Sequence, residues 1–412
     1  MPDQEFEIVV VGAGPAGIAA ACTAAECGKR VVLIDENPAP GGQIWRAEQN
    51  TWTQRLAASG CSVRPNSSVI DQPETGVLRI ASGNISYQLR FKHLVIATGA
   101  RERYLPFPGW TLPGVCGAGG LQALAKSGWP VNGKRIVVAG TGPLLLAVAA
   151  YLHKRGAHIT CIAEQAPRSR VMMFALQSGK LLQGAGLQLQ LLGVPYRFNC
   201  WPTAAMGKEQ LEAVTLCQGD HEWTEQCDYL ACGFGLVPNV ELAALLGCQL
   251  HRGAVKADEY QQTTVPGIYC AGEPTGVGGV DLALIQGQVA GLAAAGLPEK
   301  ARDHFRRRAR WVEFRARLDA AFALRDELSR LAVDDTVICR CEDVPLGQIR
   351  QHHSWRSAKL HTRCGMGPCQ GRVCGPVVEH LLGWPLESVR PPLSPVSIRQ
   401  LAVTDSDPST RV

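Results

Sequence analysis

Five of the sixteen cysteines in this 412-residue chain crowd together near its C-terminal end. Cys339 and Cys341 stand in "VICRCEDV", and Cys364, Cys369 and Cys374 in "TRCGMGPCQGRVCG". Thiols at this density can form disulfides, bind zinc, run a redox disulfide or hold an iron–sulfur cluster. The chain enters a strand directly, without a secretory leader pattern, so a cytoplasmic location is expected and thiols there stay reduced. Zinc held by four cysteines usually takes two C-x-x-C knuckles, and C-x-C followed by C-x-x-x-x-C is a different spacing. Gly365, Gly367, Gly371 and Gly375 lie among the thiols. Such glycines let backbone amides turn toward sulfur, which suits iron–sulfur ligation. An iron–sulfur centre is the expectation, with zinc and no metal as the alternatives. The other eleven cysteines are scattered and read as small buried apolar side chains.

What such a centre would serve depends on the elements before it. "FEIVVVGAGPAGIAAACTAAECGKRVVLIDE" reads as strand, glycine turn, helix and a second strand ending in an acid. Gly12 permits the tight turn, Gly14 lets backbone approach a pyrophosphate, and Gly17 allows close helix–strand packing. The helix start at Pro15–Ala16 offers amide donors to phosphate. Asp35 is placed for the ribose hydroxyls, with Glu36 the second candidate. Gly41 and Gly42, followed by Gln43, can bring more backbone to the diphosphate. A buried strand ending at Thr98–Gly99 passes near the same place. Gly272–Glu273 and a glycine-rich turn through Gly279 then open another helix.

The text over residues 6–298 resembles the two-dinucleotide-binding-domain flavoproteins, the thioredoxin reductase and glutathione reductase superfamily. The resemblance implies FAD, with Glu273 at the position whose acid contacts the flavin ribityl chain. Disulfide reductases of that superfamily place a C-x-x-C or C-x-x-x-x-C pair against the flavin. No such pair is expected directly after Gly41–Gly42 or in the second domain, and Cys22 and Cys27 fall on the first helix. A disulfide reductase is therefore not expected.

"GKRIVVAGTGPLLLAVAAYLHKRGAHITCIAEQ" repeats the strand–turn–helix–strand plan. Gly140 and Gly142 are present and Glu164 ends the second strand, so a ribose could be held. The third glycine position is Leu145, however, and a large side chain there would push the helix off the strand. A nucleotide fold kept without nicotinamide chemistry is favoured; NAD(P), ATP or nothing bound there are left open.

Residues 299–331 read as one long amphipathic helix, with Trp311, Phe314, Leu318, Phe322 and Leu328 on one face and arginines opposite. The net charge of +5 is too small to imply a nucleic-acid partner. The longest apolar runs are too short to span a bilayer. Docking at the inner membrane surface stays open.

"CRCEDV" followed by "TRCGMGPCQGRVCG" resembles the bacterioferritin-associated-ferredoxin-like (BFD-like) 2Fe–2S domain that ends the α subunits of heteromeric dye-linked dehydrogenases. That group includes D-hydroxyproline and L-proline dehydrogenases, opine oxidases and the corresponding chain of hydrogen cyanide synthase, and "GTGPLLLA" resembles its variant glycine turn. The resemblance implies Cys339, Cys341, Cys369 and Cys374 as cluster ligands, with Cys364 spare. The expected fold is α/β: two Rossmann-like dinucleotide-binding domains, disulfide-reductase-like, plus a small C-terminal BFD-like domain. The expected boundaries are 1–112 with 265–298 for FAD, 113–264 for the degenerate second fold, 299–333 for a helical linker, 334–392 for the cluster domain and 393–412 for a tail.

The resemblance further implies an electron-transferring subunit of an amino- or imino-acid dehydrogenase, D-hydroxyproline being the first substrate guess. Its partners would be a β subunit of the glycine-oxidase-like flavoprotein type and a small ferredoxin-like γ subunit, with an FMN at a subunit interface as a further cofactor. An NAD(P)H-dependent ferredoxin or rubredoxin reductase and a non-catalytic nucleotide-binding scaffold are the alternative readings. No catalytic residue is assigned.

Overall fold

The computed structural model describes residues 5–46, 48–177, 181–385 and 389–401. The expected tail therefore falls outside the described residues beyond position 401. The chain forms two compact units. The first comprises Met1–Arg101, Val237–Arg315 and Ser388–Val412; the second comprises Glu102–Leu236 and Ala316–Glu387.

In the first unit, strands Ser62–Arg64, Val31–Ile34, Glu5–Val11 and Ile85–Ile96 lie side by side and parallel, and Ile268–Cys270 pairs parallel with the last. Val9 stands opposite both Val32 and Leu94, and all three are fully buried. A parallel sheet is covered on both faces, which is why its strands are continuous apolar runs rather than alternating ones. The twelve-residue strand Ile85–Ile96 changes partners along its length. Its first half pairs antiparallel with Val77–Ser82, which pairs with Ser67–Glu74. Helices Pro15–Glu26 and Val280–Ala294 pack together through small residues. A Cβ at Gly287 would stand 2.2 Å from the Ala16 carbonyl oxygen, and one at Gly291 would stand 2.5 Å from that of Ala20.

The second unit repeats the plan. Its five-stranded parallel sheet runs Tyr196–Phe198, His158–Glu164, Arg135–Gly140, Tyr229–Gly233, Val115–Gly117. A three-stranded antiparallel sheet, Cys200–Met206, Ala213–Gln218 and His221–Gln226, accompanies it.

The cysteine region belongs to this unit and has a small core of its own. Strand Val337–Cys339 pairs with Val344–Pro345, and helices Leu346–Arg350, Trp355–Thr362 and Cys374–Leu382 close around Ile338, Ile349, Trp355 and Val378. It is fastened to the nucleotide fold by the buried Trp110, whose Nε1 donates to the Val337 carbonyl at 2.6 Å.

The helix expected over 299–331 is broken into three pieces: Pro298–Arg302, Phe305–Ala321 and a 3₁₀ turn at Asp326–Arg330. The break after Ala321 has a tertiary cause. Thr141 Oγ1 donates to the Phe322 carbonyl at 3.4 Å, Gln165 Nε2 donates to that of Ala323 at 3.1 Å, and the Arg325 amide donates to Gln165 Oε1 at 3.2 Å. These side chains supply partners to backbone groups that the helical ladder leaves unpaired at its end. Among the described residues, no helix is long and apolar enough to cross a membrane.

Candidate functional site

The first glycine turn is assembled by contacts that leave one face clear. A Cβ at Gly12 would stand 2.3 Å from the Ala97 carbonyl oxygen, and one at Gly17 would stand 1.8 Å from that of Gly12, so both glycines are required by packing. Gly14 differs, because nothing lies within 4 Å of where its Cβ would be. That open face, just before the helix start at Pro15, is what close approach of a pyrophosphate needs. The Gly41 amide donates to the Ala13 carbonyl at 2.8 Å, and a Cβ at Gly42 would come within 2.9 Å of Gly14 Cα. The two glycine segments therefore form one cradle. Ala16 is buried beneath it, and a Cβ at Gly272 would press on the Ala16 methyl at 2.7 Å.

The acids around this cradle are arranged differently from one another. Asp35 is buried; one carboxylate oxygen accepts from the Ala13 amide, and the other accepts from the backbone and side-chain nitrogens of Asn37, both at 2.7 Å. Glu36 is exposed, and Arg46 donates to Gln43 Oε1 at 2.9 Å. Glu273 accepts from the amides of Gly278 at 3.2 Å and Gly279 at 3.1 Å, which fixes the turn before Val280–Ala294.

Thr98 and Gly99 are held by a residue that the sequence reading did not single out. Asn239 Nδ2 donates to the Thr98 carbonyl at 2.8 Å, its amide donates to that of Gly99 at 3.0 Å, and Thr98 Oγ1 donates to the Asn239 carbonyl at 2.7 Å. Arg101 adds a hydrogen bond to Asn239 Oδ1 at 2.7 Å and an ion pair with Glu241 at 2.8 Å. The only sequence signal was the position of "LVPN" at the return into the first unit. Arg315 was also missed within the arginine run: its Nη1 donates to the Thr275 carbonyl at 3.1 Å, behind Gly276.

The second glycine turn keeps the local geometry but not the presentation. Gly140 is required against the Gly233 backbone, whose carbonyl oxygen would lie 2.2 Å from an added Cβ, and Gly142 has an open face. Leu145 is fully buried and is accommodated because the facing strand residue is Gly233. Pro143 caps the helix Leu144–Lys154, so that helix opens one residue later than its counterpart in the first unit. Glu164 is fully buried; its carboxylate accepts from the amides of Gly142 at 2.7 Å and Ala166 at 2.8 Å, and burial raises it to about 7. The segment from Phe322 to Arg325 crosses this end of the sheet on Thr141 and Gln165.

In the cysteine region, the sulfurs of Cys339, Cys364 and Cys374 all lie within 4.8 Å of one another, and all three residues are buried. Cys369 is half-buried, within hydrogen-bonding reach of Cys374 and Cys341, and Cys341 is exposed. The tight group thus holds Cys339 and Cys374 of the four expected thiols together with Cys364, the one the resemblance leaves spare, while Cys369 and Cys341 follow outward from Cys374. Glycine makes the approach possible. A Cβ at Gly367 would stand 2.2 Å from Cys341 Cβ, and one at Gly365 would stand 2.7 Å from the Trp355 ring. The Gly365 amide donates to Cys339 Sγ at 3.5 Å. Hydrogen bonds from Cys364 and then Cys374 hold the Cys339 thiol well below its ordinary range, and donating to Cys339 pushes Cys364 up to about 12. The cradle therefore favours a thiolate at Cys339, the form that binds a metal. Arg340, between the first two cysteines, lies over the Trp110 ring at 5.2 Å from its centroid.

Residues 6–290 match the pyridine nucleotide-disulphide oxidoreductase family. The chain belongs to that family. Among relatives of this oxidoreductase, the hydrogen cyanide synthase protein HcnB of Pseudomonas aeruginosa is 32% identical, over 89% of this chain and 90% of that protein. An opine oxidase subunit of Rhizobium meliloti is 30% identical, over 96% of this chain and 98% of that protein. In fold, the oxidoreductase is similar to L-proline dehydrogenase from P. horikoshii, with a TM-score of 0.68, 20% identity and coverage of 96% of this chain and 79% of that one. These likenesses bear out the resemblance read from the sequence and the disulfide-reductase-like α/β fold. The oxidoreductase is of the flavoprotein type.

All sixteen cysteines are free. Against the expectation that the second domain has no such pair, Cys227 and Cys232 do have the C-x-x-x-x-C spacing that disulphide chemistry uses. They lie just before and within strand Tyr229–Gly233, and both are free and buried.

Proposed function

We propose that this chain is the electron-transferring flavoprotein subunit of a heteromeric amino- or imino-acid dehydrogenase. The observation that carries the reading is a group of three buried thiols within 4.8 Å of one another, with Cys369 and Cys341 beside it, on a flavoprotein fold that matches HcnB and the opine oxidase chain over nearly their whole length. In this reading Gly12, Gly14, Gly42, Thr98 and Gly99 would hold FAD, and Glu36, rather than the first-expected Asp35, would take the ribose because Asp35 is engaged by Ala13 and Asn37. Cys339, Cys341, Cys369 and Cys374 hold a 2Fe–2S cluster. Flavin takes up two electrons and releases them singly, and the cluster carries one.

The protein's own residues bind and orient. Asp35 ties the glycine turn, Asn239 fixes the Thr98 loop, Glu273 sets the turn at Gly279, and the Gly365 amide supports the Cys339 sulfur. No described residue is assigned to substrate chemistry, because in this reading a glycine-oxidase-like β subunit takes the hydride from the carbon next to nitrogen. A quinone, a dye or a ferredoxin-like γ subunit then receives electrons. D-hydroxyproline is the first substrate to test, followed by opines and glycine. An FMN where the subunits meet is part of the same proposal.

The test is purification of the chain alone and together with the products of adjacent reading frames. Alone it should carry FAD, iron and labile sulfide and be inert to D-hydroxyproline. With its partner, D-hydroxyproline should bleach the flavin anaerobically. A Cys374→Ser chain that keeps full iron content would remove the cluster assignment, and a chain without a flavin spectrum would remove the reading altogether.

A further inference from the structure

A 2Fe–2S cluster needs four thiolates, and this cradle holds five thiols. The contacts connect them in a defined way. Cys374 lies among Cys339, Cys364 and Cys369, while Cys369 also reaches Cys341. Three contiguous sets of four follow; the two that keep Cys339, whose sulfur also accepts from the Gly365 amide at 3.5 Å, both contain Cys369 and Cys374. They differ only in the fourth member, which is Cys341 on the exposed side or Cys364 on the buried side. We infer that Cys341 and Cys364 are interchangeable fourth ligands, so that the centre has an outer and an inner form. This rests on the cluster assignment made above.

The exchange balances without an oxidant. The entering thiol releases its proton, the departing thiolate takes one up, and no electron moves. The two forms differ in exposure, because Cys341 faces solvent and Cys364 is fully buried in the small core. Solvent exposure is one of the determinants of cluster potential. Water stabilises the more negative reduced state, so the inner form should have the lower potential. The two candidate ligands are also neighbours in the fold: Arg363, just before Cys364, pairs with Glu342, just after Cys341, at 2.7 Å.

The full-length chain, prepared anaerobically, tests this through iron and sulfide content and the electron paramagnetic resonance spectrum after dithionite reduction. Cys341→Ala and Cys364→Ala should each keep wild-type iron and sulfide, with different g values and a lower midpoint potential in Cys341→Ala. The double variant should lose iron at least ten-fold. The inference is overturned if either single variant loses its iron while keeping bound flavin, or if the double variant keeps its iron. Cys364→Ser, with near-ultraviolet circular dichroism, serves where the alanine variant leaves a cavity that prevents folding. Wild-type chain without iron and sulfide would instead refute the cluster assignment, a result distinct from loss confined to one variant.

Discussion

The Glu164 carboxylate accepts a hydrogen bond from the Gly142 amide at 2.7 Å, with no part of Glu164 open to solvent. A group that would be a ribose acceptor in a working nucleotide site is here part of the turn's own scaffolding. Its desolvation gives the second unit a pH dependence. The carboxyl is raised from 4.5 to about 7, so the native state prefers it protonated. That contribution is fully present below about pH 4.5, the unfolded value, and is lost as pH rises through about 7. Over the whole range it is on the order of 3 kcal/mol, of which about 1 kcal/mol falls between about pH 6 and 8. Urea unfolding should show the wild type losing this increment and Glu164→Gln losing much less. Slopes, rather than absolute stabilities, are the readout, because glutamine can satisfy only one of the two amides. Parallel slopes for the two proteins would refute the assignment.

Asp35 and Glu36 should separate under mutation although they are neighbours. Asp35 is bound to Ala13 and Asn37, so Asp35→Asn leaves backbone donors unmatched and should cost about 2 kcal/mol of stability along with flavin retention. Exposed Glu36 has no such structural duty in the turn. Glu36→Gln should leave the unfolding midpoint unchanged and weaken FAD binding about ten-fold, which corresponds to one lost charge-assisted hydrogen bond. Titration of apoprotein with FAD distinguishes them; equal affinity for Glu36→Gln and wild type would place the ribose elsewhere.

NADH should not reduce the flavin of the isolated chain. Leu145 is the difference that sequence exposes, but the structure adds two others: Glu164 is turned inward, and the Phe322–Arg325 segment is bonded to Thr141 and Gln165. Restoring glycine alone, as Leu145→Gly, should therefore leave the flavin oxidised under anaerobic NADH and should destabilise the second unit by about 3 kcal/mol or more through loss of a buried leucine. Rapid bleaching of the wild type by stoichiometric NADH would revive the reductase reading.

What was legible in the sequence was what repeats at short range. Gly12, Gly14 and Gly17, the wholly apolar strands and the thiol spacing each encode a local geometry, and the fold followed from them. Three things were not legible. The end of the helix at Ala321 is set by Thr141 and Gln165, residues more than 150 positions away, while the local amphipathic period runs on. Asn239 holds the Thr98 loop through hydrogen bonds across 141 positions, and nothing around an isolated asparagine announces this. The position of Cys364 beside Cys339 and Cys374 comes from the packing of Trp355 against Gly365 and Gly371, a tertiary contact that spacing alone cannot supply.

Gly287 should control flavin binding without touching the flavin turn itself. It lies in mid-helix, where glycine costs roughly 1 kcal/mol relative to alanine, so its presence needs a packing reason. The reason is the Ala16 carbonyl oxygen, 2.2 Å from where a Cβ would be, with the Ala19 methyl at 2.9 Å. Gly287→Val would drive Val280–Ala294 away from Pro15–Glu26 and shift both Ala16 and the Gly272–Gly279 turn. The expected cost is about 3 kcal/mol, at the upper end of overpacking in a close-packed interior, with flavin content falling in parallel. Gly186 is the control, since it is also helical but has nothing within 4 Å of an added Cβ. Gly186→Ala should be neutral or stabilising by up to about 1 kcal/mol and should keep its flavin. Urea midpoints and flavin-to-protein absorbance ratios for the two variants decide it. A Gly287→Val chain with wild-type flavin content would mean that the helix pair does not set the cradle.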